Sequence, residues 1–337
     1  MKTGGFFELA ADSDSVVSMG VFDGAHRGHQ HLLSQAIARA RGIGCLAVVI
    51  TLHPRPSDLL RSDPGAGYLA TLEERVRLLG DLGPDCVAVL SFDREVAATP
   101  AGEFVGILRE RYRMAELWVG PDFALGRGRE GTIPVLRGLG ARLGFSVHVV
   151  ERLVLEGQSV SSTLVRQRLA EGDVAAAARL LGRRFSASGP VVAGAGRGRL
   201  LGLPTANVAY PGQLALPVDG VYVVRCELVG GARALALEAR APGSPVVAAT
   251  SDPTRHDLIH ASLVGVANVG TRPTFDNGKR TLEVHLLDFA HDIYGATLRV
   301  EFVQRLRPEL RFPSAQALLD QIRRDVEAAR LIAACRG

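Results

Sequence analysis

The sequence predicts two domains: an α/β domain with a parallel, Rossmann-like sheet, then a small antiparallel β-barrel that ends in a helix. The length of 337 residues suits about two domains. The first half alternates short β-rich runs with helical stretches, which is typical of a parallel sheet. The second half carries Val- and Leu-rich runs between Gly and Pro turns, which is typical of an antiparallel barrel. We place the domains at residues 1–184 and 185–337.

The first domain contains strands and helices in alternation. The predicted strands are Val16–Val21, Cys45–Leu52, Cys86–Phe92, Glu116–Val119 and Ser146–Val150. The predicted helices are His29–Arg41, Leu72–Leu82, Ala101–Tyr112, Ile133–Leu143 and Leu164–Leu181. Ligands of such sheets bind at the carboxyl ends of the strands. Two loops, 51–56 and 120–131, should therefore lie close to His26 and His29.

The second domain should be a barrel interrupted by an insertion. Residues 230–262 have no clear period, so we interpret them as an insertion that is partly loop. The tail Ser314–Ala334 has apolar residues at helical spacing, and Ser314 is its predicted N-cap.

Composition limits the function classes. The chain is 47% hydrophobic and 22% charged, as in ordinary soluble proteins. Its net charge of +4 comes without a long basic run, so nucleic acid is not an expected partner. Lys2 and Lys279 are the only lysines, so arginine must make nearly all side-chain contacts to phosphate.

The expected location is the cytoplasm. The four cysteines lack C-x-x-C or zinc spacing, which indicates free thiols in a reducing compartment. The N-terminus carries acidic residues instead of a signal sequence, and no uncharged apolar run reaches 18 residues. We expect no membrane association, small-molecule substrates, and a monomer or weak homo-oligomer.

The segment Gly20–His29, GVFDGAHRGH, joins a strand to a helix through a glycine turn. Backbone N–H groups at a helix N-terminus attract phosphate. His26 and His29 lie three residues apart and can contact one ligand, while Gly28 leaves room for a base or ribose. The segment resembles the H-x-G-H signature of nucleotidyltransferases. The alternatives are a histidine pair on a surface helix or half of a metal site.

Two segments of the second half carry candidate chemistry. Residues 189–207 are glycine-rich, and their backbone amides can approach phosphates. Thr205 and Asn207 share one side of an extended chain and offer the oxygen ligands that suit Mg²⁺. A plain Gly/Pro turn is the alternative. Glu283, on a predicted strand, is a candidate general base. The spacing also leaves open the side chains Asp288, His285 and His291.

Taken together, the motifs resemble the bifunctional riboflavin kinase/FMN adenylyltransferase family, the prokaryotic FAD synthetases. The likeness spans about residues 15–330. It rests on GVFDGAHRGH, GPDFALGRGREG (120–131) and SSTLVR (161–166) in the first half. In the second half it rests on GRGRLLGLPTAN (196–207), GVANVGTRPTF (265–275), LEVHLLDF (282–289) and LRPELRF (306–312).

The resemblance implies roles for individual residues in two reactions, phosphorylation of riboflavin to FMN and adenylylation of FMN to FAD. The implied catalytic residues are Glu283 in the kinase, as the base that activates a ribityl hydroxyl, and His26 and His29 in the adenylyltransferase. Arg307 is implied in flavin binding. The implied ATP ligands of the adenylyltransferase are Gly20, Phe22, Asp23, Gly24, Arg55, Asp122, Ser161, Ser162, Thr163 and Arg166. Those of the kinase are Gly194, Gly196, Arg199, Thr205 and Asn207, with Mg²⁺ on Thr205 and Asn207. By residue chemistry alone, the S-S-T run of residues 161–163 could be a simple helix cap.

The sequence departs from the family pattern at one chemically important position. The family usually has T-F-x-P-H-P after the second strand, whereas residues 51–56 read TLHPRP. Arg55 therefore replaces a histidine; it can bind phosphate but cannot exchange a proton at neutral pH. His53 is a possible substitute. Leu125 and Leu203 are milder apolar changes. Two alternatives remain: a riboflavin kinase whose first domain is weak or inactive, or a non-catalytic flavin- or nucleic-acid-binding regulator.

Overall fold

In a computed structural model of the chain, the described residues are 1–60, 67–194, 203–229, 262–271 and 280–335. The chain folds into two compact units. The first comprises Met1–Leu164 and Leu180–Gly182, and the second comprises Val165–Arg179 and Arg183–Gly337. The predicted insertion falls almost wholly on residues 230–261, outside the described part.

The first unit is built on a six-stranded parallel sheet. Its strands are β1 (Lys2–Gly5), β2 (Ser15–Gly20), β3 (Leu46–His53), β4 (Cys86–Ser91), β5 (Met114–Val119) and β8 (Ser146–Val149). They lie in the order β1-β4-β3-β2-β5-β8, and every pairing is parallel. Two short hairpins are formed by β6 (Ala124–Leu125) with β7 (Gly131–Thr132), and by β9 (Val154–Leu155) with β10 (Gln158–Ser159). The predicted parallel α/β architecture is confirmed. Strand β1 was not predicted, because a four-residue segment with two glycines gives no β signal.

Helices follow the strands as expected for crossover connections. They are α1 (Arg27–Gly42), α2 (Pro56–Leu60), α3 (Leu72–Gly80), α4 (Arg94–Ala98), α5 (Ala101–Tyr112), α6 (Ile133–Leu143), α7 (Ser162–Glu171) and α8 (Val174–Leu181). Alternate residues of the central strands are buried in two clusters, with Val17 and Ile50 in one and Val16 and Val49 in the other. A sheet buried on both faces explains the continuous apolar runs of its strands.

The prediction of a single helix at Leu164–Leu181 is wrong, because the chain forms two helices there, α7 and α8. Gly172 adopts φ +79°, which ends α7. The Asp173 carboxylate then accepts a hydrogen bond from Ala176 N at 2.8 Å and begins α8. The Gly-Asp pair was the sequence signal for this break.

The second unit is a closed antiparallel barrel. Its strands are β11 (Ser186–Val192), β12 (Ala206–Val208), β13 (Gly220–Val229), β14 (Leu263–Thr271), β15 (Arg280–Leu286) and β16 (Thr297–Arg307). They lie in the order β11-β12-β15-β14-β13-β16. Helix α9 (Ala315–Cys335) follows, and the Ser314 hydroxyl accepts a hydrogen bond from Ala317 N at 3.2 Å. The barrel, the terminal helix and its cap are thus confirmed. Within the described ranges, no helix is both long and apolar enough to cross a membrane.

Candidate active sites

The first candidate site, which contains His26 and His29, lies at the carboxyl end of β2. Strands β3 and β4 lie on one side of β2, while β5 and β8 lie on the other. This reversal of strand order is the switch point at which parallel sheets bind ligands. The chain leaves β2 through a strained turn, because Phe22 and Ala25 adopt φ values of +50° and +41°. At Gly24, where φ is +73°, an added Cβ would lie 2.7 Å from the Leu69 side chain.

The turn presents the predicted histidine pair at the N-terminus of α1. The Nδ1 atom of His26 accepts a hydrogen bond from His29 N at 3.3 Å, so His26 is the N-cap. The two imidazole rings stack with centroids 3.6 Å apart and planes 18° apart. Phe22 meets the His29 ring edge-on at 5.2 Å. The described residues include no cluster of three or more His, Cys, Asp or Glu side chains able to hold a metal ion.

The surroundings of His29 favour its neutral form. Burial lowers its pKa well below the usual value, and the nearby His26 and Arg75 lower it further. Its Nδ1 atom is buried without a hydrogen-bond partner among the described residues. A bound anionic ligand would raise the pKa of His29, since a nearby negative charge favours the protonated imidazole.

Contacts from outside the turn hold Asp23. The Asp23 carboxylate accepts a hydrogen bond from Leu69 N at 2.9 Å, and its carbonyl oxygen accepts one from Ser162 Oγ at 3.1 Å. Ser161 caps α7 by accepting from Leu164 N at 3.2 Å. The SSTLVR segment is therefore both a helix cap and a support for the turn. Thr163 is exposed on the first turn of α7, and Arg166 belongs to the portion of this helix assigned to the second unit.

Arg55 lies in a compact polar cluster after β3. Its guanidinium contacts Asp58 through Nε–Oδ2 at 3.0 Å and Nη2–Oδ1 at 3.0 Å. It also stacks on the Tyr68 ring at 4.0 Å and places Nη1 3.7 Å from Asp23 Oδ2. Burial lowers the pKa of Arg55, but the hydrogen bonds and charge of Asp58 raise it more. A permanent cation therefore lies beside the turn.

His53 lies at the end of β3 and contacts Arg75. Its Nδ1 atom lies 3.2 Å from Nη2 of Arg75. Since an arginine can only donate, this Nδ1 must be unprotonated. Burial and the charge of Arg75 both lower the pKa of His53. His53 is therefore neutral and already bound to a protein group.

An apolar cavity of about 470 Å³ opens at the ends of the same strands. Its lining includes Gly20, Leu52, Pro56, Leu90, Phe92, Phe104, Asp122, Phe123 and Leu125. Asp122, which was predicted to bind ATP, is an exposed residue that contributes to the lining of this cavity and pairs with Arg152. A flat aromatic ligand fits this lining better than a triphosphate does.

In the second unit, three polar residues form a row across neighbouring barrel strands. Asn207 on β12 is directly opposite Glu283 on β15, and Glu283 is directly opposite Asn268 on β14. Paired positions of antiparallel strands project to the same face. An added Cβ at Gly194 would overlap the Asn207 amide, so a glycine is needed for this close approach. Gly196 and Arg199 lie outside the described residues.

Two cavities flank this row. One of about 330 Å³ is lined by residues including Gly194, Thr205, Asn207, Phe289, His291 and Tyr294. The other, of about 410 Å³, is lined by residues including Thr205, Asn268, Glu283, His285, Arg307 and Glu309. Thr205 lines both, so a group transferred from one cavity to the other would pass beside it.

Arg307 lines the larger cavity and is held by a buried partner. It binds Asp325 of α9 at Nε–Oδ1 3.1 Å and Nη2–Oδ2 2.7 Å, and Asp325 is only 5% exposed. Sequence reasoning missed Asp325, because its contribution depends on where the terminal helix packs. It also missed Asn268, which donates from Nδ2 to Glu309 Oε1 at 3.0 Å. Asn268 lies within the quoted GVANVGTRPTF segment, so that motif was the available signal.

The three alternatives to Glu283 have different surroundings. Asp288 forms an exposed ion pair with Arg330, with both bonds at 2.7 Å. His285 places Nδ1 2.9 Å from the Pro204 carbonyl oxygen and must donate to it. The His291 ring meets the Phe289 ring edge-on, and both residues line the smaller cavity. Among these four candidates, Glu283 alone combines a carboxylate with a position in the cavity that contains Arg307.

Two family models match successive parts of the chain. Residues 8–164 match the FAD synthetase family, and residues 181–333 match the riboflavin kinase family. The bifunctional riboflavin kinase/FMN adenylyltransferase of Escherichia coli (strain K12) is 38% identical over 322 residues, covering 95% of this chain and 93% of that protein. The Pseudomonas fluorescens protein of the same name is 38% identical over 321 residues, with the same coverage.

A solved structure also resembles the whole chain. It is named as a macrolide-efflux protein from Streptococcus pneumoniae, with 29% identity and a TM-score of 0.81. The match covers 98% of this chain and 99% of that one. With two family matches in tandem and relatives that align over more than nine-tenths of both chains, the chain belongs to the bifunctional riboflavin kinase/FMN adenylyltransferase family.

Proposed function

We propose that this chain phosphorylates riboflavin to FMN at the barrel and adenylylates FMN to FAD at the parallel sheet, using ATP in both reactions. The observation that supports this most strongly is the presence of two polar sites in separate units, each within its own family match. A kinase with an inactive first domain is less well supported, because the histidine pair and its turn are intact.

In the kinase reaction, Glu283 is the proposed base for the terminal ribityl hydroxyl. The larger cavity would hold riboflavin beside Arg307, and the smaller would hold ATP against Phe289 and Tyr294. The hydroxyl oxygen attacks the γ-phosphorus, its proton passes to Glu283, and ADP leaves. Positioning supplies most of the rate in such transfers.

Mg²⁺ is proposed at Thr205 and Asn207. Their hydroxyl and amide oxygens are hard donors, and Thr205 lines both cavities. Bound there with ATP, the ion would neutralise phosphate charge during the transfer. The described part of the chain offers no cluster of three or more acidic, His or Cys ligands, so substrate phosphates would complete the coordination.

In the adenylyl reaction, the FMN phosphate attacks the α-phosphorus of ATP, and pyrophosphate leaves. The N-terminus of α1, the histidine pair and Arg55 provide donors for the phosphates. The apolar cavity lined by Phe92, Phe104 and Phe123 is the proposed isoalloxazine site. Gly20 lines this cavity at the start of the turn, so the acceptor phosphate would lie close to the ATP site.

Isotopic labelling tests the two reactions separately. With riboflavin and ATP labelled at the γ-phosphorus, label should appear in FMN. With FMN and ATP labelled at the α-phosphorus, label should appear in FAD and pyrophosphate should remain unlabelled. Failure of the second transfer alone would favour a monofunctional kinase. Failure of both would favour a binding protein.

A further inference from the structure

Arg75 of α3 is a fully buried cation near the adenylyltransferase site, and no sequence pattern singles it out. It has 0% exposure, although arginine is rarely buried unless paired. Its neighbour on the same helix, Arg77, is exposed and pairs with Asp81 at 2.8 Å, which is the ordinary arrangement. Burying a charge costs free energy, so the contacts of Arg75 must account for its burial.

The hydrogen bonds of Arg75 join the ends of two strands. Its Nη1 donates to the carbonyl oxygens of Val21 at 2.7 Å and Leu52 at 3.1 Å. Its Nη2 donates to Nδ1 of His53 at 3.2 Å. Within the described chain these partners are uncharged, and the Nε atom is buried without a partner. Among the residues that the structure describes, no direct ion pair therefore cancels the charge of Arg75.

The contact with Val21 lies at the start of the strained turn. Val21 is the residue at which the chain leaves β2, directly before Phe22 with its positive φ. Thr51 Oγ1 also donates to the Val21 carbonyl oxygen, at 2.9 Å. Strained backbone persists only where its surroundings fix it. Arg75 thus fixes one end of the turn, while the contacts of Asp23 fix its middle.

Arg75 also acts on His29 through its charge. It is one of the groups that lower the pKa of His29, and it lowers the pKa of His53 as well. The charged and titratable groups that surround this region are Asp23, His26, Arg55, Asp58 and Tyr68. Asp23 is the neighbouring carboxylate that attracts Arg75 at longer range.

We propose that Arg75 is a positioning residue for adenylyl transfer: it ties the entry of the histidine turn to the ends of β2 and β3 and supplies a fixed positive charge at the start of the turn that leads to His29. This inference rests on the proposed function of the first site. The hydrogen bonds and the charge are separable, because lysine keeps the charge but cannot make the same forked set of contacts.

The test compares R75M and R75K with R77M, a matched control on the exposed face of α3. FAD formation from FMN and ATP is followed against pH, and FMN formation from riboflavin by the same protein reports on the intact barrel. R75M should lower kcat/KM for FAD formation by about 100-fold. The inflection of the pH profile that reports His29 should move up by about one pH unit, since a like charge near His29 has been removed. R75K should lose rate but keep the wild-type inflection, and R77M should match the wild type.

Each other outcome contradicts the inference. If R75M loses rate without a shift of the inflection, Arg75 is only a structural residue. If R75M or R75K keeps the wild-type rate, the hydrogen bonds do not position the turn. Should R75M fail to fold, R75Q takes its place, because it also removes the charge, and its inflection should move up in the same way. Absence of FAD formation by the wild type would instead overturn the proposed function of the first site, and the inference with it.

Discussion

Glu283 and Asn207 occupy directly opposed positions on neighbouring barrel strands, so the proposed base and a proposed Mg²⁺ ligand project to one face. Asn268 continues the row on the other side of Glu283. Three adjacent strands thus place a carboxylate between two amides, beside the cavity that contains Arg307.

Glu283→Gln should reduce FMN formation by at least about 100-fold, because the amide cannot accept the ribityl proton. FAD formation from supplied FMN should be unchanged. Asp288→Asn is the matched control, since the same chemical change at an exposed ion pair should leave both rates intact. Chromatographic assay of each half-reaction makes the comparison. Full FMN formation by the Glu283 variant would rule out this base.

His29→Ala should abolish FAD formation and spare FMN formation, because it removes a phosphate donor from the first site alone. His31→Ala is the control, since His31 lies on the same helix but its ring contacts exposed Gln35, away from the turn. The readout is pyrophosphate release with FMN as acceptor. FAD production at the wild-type rate by the His29 variant would show that the site is assigned wrongly.

Arg55→His should make FAD formation newly dependent on pH. Arginine stays charged at every working pH, whereas a histidine has an ordinary pKa near 6.5. Relative to the wild type, activity of Arg55→His should fall as pH rises through that value, since the cation is lost. Arg55→Lys should show no such decline. If both variants follow the wild-type profile, then Arg55 does not contribute charge to the reaction.

Gly24→Ala should destabilise the first unit by about 1–3 kcal/mol, because alanine is strained at φ +73° and its Cβ would overlap Leu69. Gly42→Ala is the control at the end of α1, where nothing described lies within 4 Å of an added Cβ. That change should be neutral or stabilise by up to about 1 kcal/mol. Thermal unfolding of both variants provides the measurement. Equal midpoints would show that the turn tolerates a side chain.

Stability should decline as pH falls below about 6.5, in part because of His29. Its folded pKa is lowered, so the unfolded chain binds a proton near pH 6.5 that the folded chain does not. The contribution is present above that pH and is lost below it. In His29→Asn, the difference in unfolding midpoint between about pH 7.5 and about pH 5.5 should be smaller than in the wild type. His31→Asn should retain the wild-type difference.

The spacing of apolar residues predicts the parallel sheet and the antiparallel barrel, because local sequence determines where strands and helices form. The runs Val16–Val21 and Cys45–Leu52 are largely apolar along their length, as a doubly covered parallel sheet requires. The break at Gly172 and Asp173 was missed because apolar spacing continues across it. The motifs also predict that His26 and His29 share one ligand, since both lie on one turn of chain.

Contacts between distant segments were beyond sequence reasoning. Arg75 resembles the other arginines of an amphipathic helix, and only the packing of α3 shows that it is buried. Likewise, Asp58 and Tyr68 are ten residues apart, yet Tyr68 Oη donates to Asp58 at 2.5 Å and both hold Arg55. Without the fold, Arg55 could be described only as a departure from the family pattern.

The most direct test is a chromatographic time course of the purified protein with riboflavin, ATP and Mg²⁺. FMN should accumulate first and FAD should follow, since the product of the barrel is the substrate of the parallel-sheet site. FMN that never proceeds to FAD would contradict the role of the first site, and the absence of both products would contradict both proposed activities.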